Sequence, residues 1–274
     1  MPLDLLVANV TPFTPDGRVD LPALTAHTAW MASCGVDGFA PTGTTGGFLY
    51  LSADEKRAIH RTVIEAASAC RVCPCVWDPS LAVAVELARQ AESDGAWAVF
   101  LPPPIYHVVR PEVTLRWYDR VRAAVSLPVL AYHHPSTLNP LTEGLIARLL
   151  SEVGLDGLKD SSGQPERIRS LSMRWPGKVW IGGDGFLGQA PTLGPIAGHI
   201  SGLANGWPAE AIALRDGGGD ADWLATTRAA LKAGGGTAVS IQAALSLGHR
   251  LPLDGVGSLD AIPRSSFRRP AAGQ

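Results

Sequence analysis

Short apolar runs alternate with longer helical ones along most of this chain, and few folds accommodate that rhythm. The apolar runs cover residues 5–10, 38–41, 72–77, 96–101, 129–132, 155–159, 179–181 and 198–202. Turn-forming Pro, Gly, Thr or Ser closes or soon follows each of them. Between them lie stretches with apolar residues at helical spacing, such as Leu21, Leu24, His27, Thr28 and Met31. Ser52-Ala53-Asp54-Glu55 reads as a capping box, and Ala58, Ile59, Thr62, Val63, Ala66 and Ala67 as the buried stripe behind it. Further helices are predicted over 81–93, 111–124, 142–153, 165–175 and 185–193. Strand followed by helix, repeated, implies a parallel sheet. Eight such units in about 210 residues imply a closed (β/α)8 TIM barrel. A doubly wound open sheet is the alternative, and no G-x-G-x-x-G turn after the first run supports it.

Residues 1–215 are therefore assigned to the barrel. Two more helices, 222–233 and 237–247, read as a short C-terminal helical appendage within 216–263. The polar tail 264–274 is expected to fray. With 274 residues and 46% hydrophobic content, the chain can bury a sizeable core. Lys and Arg total 23 against 25 Asp and Glu, a net charge of −2. No basic stripe suggests nucleic acid or a membrane surface, and no apolar run is long enough to span a bilayer. The first residues lack the pattern of a signal peptide, so a cytoplasmic location is expected. Cys70, Cys73 and Cys75 lack the second ligand pair of a zinc site and, with Cys34, read as reduced thiols. No metal is assigned.

In such a barrel the working residues stand at the C-terminal ends of strands. That rule selects Thr11, Thr44, Thr45, Tyr106, Tyr132, Lys159, Asp184 and Ser201. The run 157–163, Gly-Leu-Lys-Asp-Ser-Ser-Gly, delivers one lysine at the end of a buried strand. Burial there disfavours the charged amine, and a neutral amine attacks carbonyl carbon. The plain alternative is a surface lysine in a loop. Gly43-Thr44-Thr45-Gly46-Gly47 offers backbone N–H groups and two hydroxyls suited to a carboxylate; it lacks the lysine of a phosphate loop. Alone, it would read as an ordinary turn. Tyr132 ends the strand before Lys159 and is placed to move a proton; otherwise it packs the barrel. His133 and His134 are a poor metal pair, because neighbours on an extended chain face opposite ways. One of them reads as a substrate contact and the other as packing.

These motifs, in this order, resemble the dihydrodipicolinate synthase / N-acetylneuraminate lyase family of class I, Schiff-base aldolases and lyases. The segments that carry the resemblance are Val10-Thr11-Pro12-Phe13, Gly43-Thr44-Thr45-Gly46, Tyr132, Leu158-Lys159-Asp160-Ser161-Ser162-Gly163 and Ser201-Gly202-Leu203-Ala204-Asn205. The resemblance implies that Lys159 forms a covalent imine with pyruvate or another 2-oxo acid, with no cofactor or metal. It makes Tyr132 the proton relay and Thr44 its link to a second tyrosine, matched here by Tyr106, which the family borrows from a neighbouring subunit. Thr45 and Gly46 hold the carboxylate, and the backbone carbonyl of Ile200 faces the lysine. Thr11, His133, Thr137, Asp184 and Ser201 complete the expected substrate contacts. A homo-oligomer, tetramer or dimer, is implied as well.

Three departures stand out. The synthase branch places an arginine where Thr137 follows Pro135-Ser136, Gly47 replaces a usual glutamate, and the C-terminal region is short and glycine-rich. Ser136 and Thr137 suit hydroxyls better than a second carboxylate. The expectation is therefore an aldolase or dehydratase acting on a 2-keto-3-deoxy-acid-like 2-oxo acid, with dihydrodipicolinate synthesis as the alternative. A non-catalytic keto-acid-binding barrel is a further reading. So is a metal enzyme using His133 or His134 with Asp160 and Asp184.

Overall fold

The structure, a computed structural model, describes residues 3–234 and 236. Eight parallel strands form one sheet: β1 (Asp4–Val7), β2 (Gly38–Phe39), β3 (Arg71–Val72), β4 (Val99–Leu101), β5 (Val129–His133), β6 (Gly157–Asp160), β7 (Val179–Gly182) and β8 (Gly198–Ser201). Their order is β3-β2-β1-β8-β7-β6-β5-β4. The ring closes between the two ends. Cys75, just beyond β3, bridges in parallel to Phe100 of β4. Val76 N donates to Phe100 O at 3.0 Å, and Phe100 N to Pro74 O at 3.1 Å. This is the eight-fold barrel expected from the alternation. The strands are covered on both faces, which explains their continuous apolar character.

The third run is the exception. Its strand is only Arg71–Val72, yet Cys73 N and Cys75 N still donate to Phe39 O and Pro41 O on the β2 side; toward β4, Pro74 has no N–H to donate, and Cys75 bridges to Phe100.

Helices alternate with the strands: α1 (Leu21–Ser33), α2 (Ala53–Ala66), α3 (Leu81–Ser93), α4 (Pro111–Arg122), α5 (Glu143–Ser151), α6 (Pro165–Arg174), α7 (Ala190–Leu193), α8 (Pro208–Arg215) and α9 (Ala221–Ala233). The capping box of α2 forms as read from sequence, with Ser52 and Glu55 exchanging bonds at 2.8 and 3.2 Å. Its buried face is different. Lys56, Ile59, His60 and Val63 point inward, while Ala58, Thr62 and Ala66 are only partly covered. The helix expected over 185–193 is a 3-10 turn, Asp184–Phe186, followed by the four-residue α7; Gly188, at φ 80°, breaks the path between them. α9 confirms the first helix of the appendage. Asp220 caps it, and Trp223 stands edge-on to Trp207 at 6.1 Å. The helix expected over 237–247 and the tail 264–274 lie outside the described residues. Among those residues no helix is long and apolar enough to cross a membrane.

Candidate active site

β6 carries Lys159 into the barrel, and its neighbour Asp160 faces the opposite way. Asp160 is fully buried and accepts from Ser162 N at 2.8 Å and from Arg167 Nε at 2.9 Å. Arg167, on α6, also donates to Leu141 O at 2.7 Å. The strand end behind Lys159 is thus clamped to α6 and to the loop between β5 and α5. Lys159 itself is only 4% exposed. Its Nζ lies 4.3 Å from the ring centre of Tyr132 and 4.6 Å from that of Phe100. Cys73 and Cys75 are buried near the same amine. Burial pushes both thiols up, Cys75 to about 11, against the pull of the Lys159 cation, so neither is a thiolate at neutral pH.

Tyr132 pairs directly across from Lys159 in the β5–β6 ladder. That register brings phenol and amine together from sites 27 positions apart in sequence. Tyr132 is 2% exposed, and its hydroxyl lies 3.1 Å from Thr44 Oγ1. Thr44 belongs to the glycine-bracketed loop after β2. Gly46 must be glycine there, since a Cβ would come within 2.9 Å of Thr42 N. Thr11 Oγ1 donates to Gly46 O at 2.8 Å. The expected substrate contact Thr11 is therefore placed as a brace for this loop, outside the cavity wall.

Lys159 opens onto a cavity of about 400 Å³. Thr44, Thr45, Tyr132, Ile200 and Asp184 line it, as read from sequence. Asp184 accepts from Ser201 Oγ at 2.5 Å and from Leu203 N at 3.2 Å. Burial raises its pKa against those hydrogen bonds. Ser201 reaches the site through Asp184.

His133 is turned away from the cavity: its Nδ1 accepts from Leu141 N at 3.3 Å, beside Asp160 and Arg167. His134 lines the cavity in its place, because it lies two residues from Tyr132 and shares its face. Burial lowers the pKa of both rings; for His134 the Lys159 cation lowers it further. Thr137 Oγ1 donates to His134 O at 3.1 Å and closes that turn on itself, away from the cavity. Tyr106 stands on the surface, 78% exposed, against His107.

Sequence reasoning passed over Ser161 and Gly182, which both line the cavity. A Cβ on Gly182 would sit 2.0 Å from Ser161 Oγ and 3.1 Å from Lys159 Cε. Only strand register reveals that approach. Of the residues in the metal reading, His133, Asp160 and Asp184 are bonded to Leu141 N, Arg167 and Ser201, and among the described residues no group of three or more His, Cys, Asp or Glu is placed to hold an ion.

A buried amine, a phenol linked to a hydroxyl, and a loop rich in N–H and hydroxyl donors meet in one cavity. Such a set can form an imine with a keto acid and move protons on it. Over residues 1–223 the sequence matches the model of the dihydrodipicolinate synthetase family. It is 34% identical over 203 residues to a 4-hydroxy-tetrahydrodipicolinate synthase of Azoarcus sp. (strain BH72), covering 73% of this chain and 70% of that protein. It is 32% identical to the enzyme of the same name from Rhizobium meliloti (strain 1021), covering 64% of this chain. The chain spans 60% of that relative's length. Among solved structures it resembles YagE, a prophage protein of the dihydrodipicolinic acid synthase family from E. coli K12, solved in complex with pyruvate. The TM-score is 0.81 at 25% identity, over 94% of this chain and 93% of that one.

Proposed function

We propose that this chain, which belongs to the dihydrodipicolinate synthetase family, is a Schiff-base-forming lyase acting on pyruvate or a related 2-oxo acid. The observation that carries the reading is the convergence of Lys159, Tyr132 and Thr44 from three strand ends on one cavity. Lys159 Nζ attacks the keto carbon, water leaves, and a cationic imine forms. That cation draws electrons from the neighbouring bond, so carbon–carbon cleavage or loss of a proton yields an enamine. Tyr132, held by Thr44, takes or returns the proton. Thr45, which lines the cavity, receives the carboxylate with the backbone N–H groups of its loop; Gly46, expected to share that role, is not part of the cavity lining. The covalent adduct supplies the electron sink, and no metal is assigned to it.

The far end of the cavity favours an uncharged, hydroxylated partner. No arginine lines it among the described residues, and Asp184 faces it. An aldolase or dehydratase of 2-keto-3-deoxy-acid-like substrates fits this better than condensation with a dicarboxylic partner. The chain acts as a homo-oligomer in this reading. Leu49, Tyr50, Tyr106, Val108 and Leu138 are exposed apolar side chains, all in connections between a strand and the helix after it, the first two in the 3-10 turn Phe48–Tyr50. In this reading they contact a neighbouring copy, whose Tyr106 would approach Thr44. The four thiols suit the cytoplasm, where they stay reduced.

A panel of 2-oxo acids and aldehydes, assayed for pyruvate release or uptake, tests the reading. Hydroxylated aldehydes should outpace aspartate semialdehyde as partners of pyruvate. Preference for the semialdehyde would return the synthase reading, and a stoichiometric pyruvate adduct with no turnover would make the barrel a binder.

A further inference from the structure

Thr42 occupies a backbone conformation that β-branched residues rarely adopt. Its φ is 54°, in the left-handed region, and its side chain is fully buried. It stands immediately before Gly43-Thr44-Thr45, so its conformation sets the direction in which that loop leaves β2. Something must hold it there.

The hydroxyl of Thr42 lies 2.7 Å from Pro41 O, 2.9 Å from Cys75 O and 2.7 Å from His60 Nε2. Both carbonyls only accept, so the hydroxyl gives its single proton to them. His60 must then donate, which fixes the ring as the Nε2–H tautomer. His60 is 0% exposed on α2, and its Nδ1 has no partner among the described residues. Burial, with the Lys56 ammonium one turn earlier, holds its pKa down to about 3, so the ring is neutral in use. A buried imidazole with one nitrogen orphaned costs stability, and nothing in the imine chemistry touches it.

We propose that His60 is a positioning residue: its Nε2–H pins Thr42 in the left-handed conformation and thereby aims Thr44 at Tyr132. Gly46 packs on the backbone of Thr42, so the same pin sets the carboxylate loop. Thr42 in turn ties the loop after β2 to the strand edge at Cys75. This proposal rests on the imine reading above and extends it to a residue outside the cavity.

The pair permits a sharp test. His60→Leu leaves Thr42 strained, with only the bonds of its hydroxyl to Pro41 O and Cys75 O to hold it. Thr42→Gly in that background removes the strain, since glycine adopts positive φ freely. Two readouts are needed. Borohydride trapping of pyruvate reports the imine. Exchange of the pyruvate methyl protons with deuterated water reports proton transfer by Tyr132. His60→Leu should keep full trapping at saturating pyruvate but slow exchange at least about ten-fold, as a misaimed relay does. The double variant should recover to within about three-fold. Thr42→Gly alone, which takes the Thr42 hydroxyl from the buried His60 ring, should melt lower than the double variant. Should His60→Leu fail to fold, the double variant decides alone: folded and exchanging normally, it supports the pin; folded and slow, it overturns it. Wild-type exchange in His60→Leu overturns it too. Absence of trapping in the wild type would instead defeat the imine reading.

Discussion

Gly182 shows how tightly one position is set by the chemistry beside it. A methyl group there would overlap Ser161 Oγ and press on Lys159 Cε at 3.1 Å. The serine must rotate and the lysine must shift. Gly182→Ala is therefore expected to fold but to trap pyruvate about ten-fold more slowly, since an ångström of misplacement costs that much or more. Trapping kinetics by mass spectrometry, beside an unchanged melting curve, check it; an unchanged rate would mean the lysine has slack. Lys159, Tyr132 and Thr44 were legible from sequence because strand ends are marked by the turn residues that follow. Gly182 was not, because a glycine after a strand reads as a turn until register sets Asp160 beside Ile181. The choice of His133 over His134 failed for a related reason. Strand alternation puts His134 with Tyr132 only if β5 runs on to His133, and its apolar run stops at Tyr132.

β6 is held from behind by a charged pair that the chemistry does not use. Asp160 is fully buried, and the side chain of Arg167 is 14% exposed. Removing one partner leaves the other charge buried and unpaired, a loss of about 3–5 kcal/mol in such settings. Arg167→Met should lower the urea midpoint by that measure, and Asp160→Asn in the same chain should recover part of it. A loss under about 1 kcal/mol would assign the pair to the class of surface bridges. At this scale the pattern of elements was readable and their faces were less so. α2 hides Lys56 and His60, whose polar ends find Trp77 O, Asp78 and Thr42. Periodicity treats such residues as outward-facing, because it sees the side chain and not the waiting carbonyl.

The barrel as a whole stores neutral histidines. Burial lowers His27 and His199 to about 4 and His60 to about 3, from 6.5. Above about pH 6.5 these rings are neutral whether the chain is folded or not, and they contribute no pH dependence. As pH falls below that value the unfolded chain takes up protons that the folded chain refuses, so stability drops through pH 5 toward 4. The slope is about 1.4 kcal/mol per pH unit for each histidine involved. Urea denaturation at pH 7, 6 and 5 should show it, and His199→Leu should flatten it by one proton's share. An equal slope in that variant would show that the ring is already solvated. Ring closure was implied by the count of eight units, but the contact that completes it, Cys75 against Phe100, was hidden behind Pro74. Periodicity orders strands along the chain and says nothing about which edge meets which. What the closed ring produces is one amine walled in by a phenol and a hydroxyl, and its reactivity can be read in a single experiment. The protein is mixed with pyruvate, reduced with borohydride, digested and mapped by mass spectrometry. The expected result is one reduced pyruvyl unit, on Lys159 alone, absent when pyruvate is omitted and absent in Lys159→Ala. An unmodified Lys159, or a label scattered over surface lysines, would contradict it.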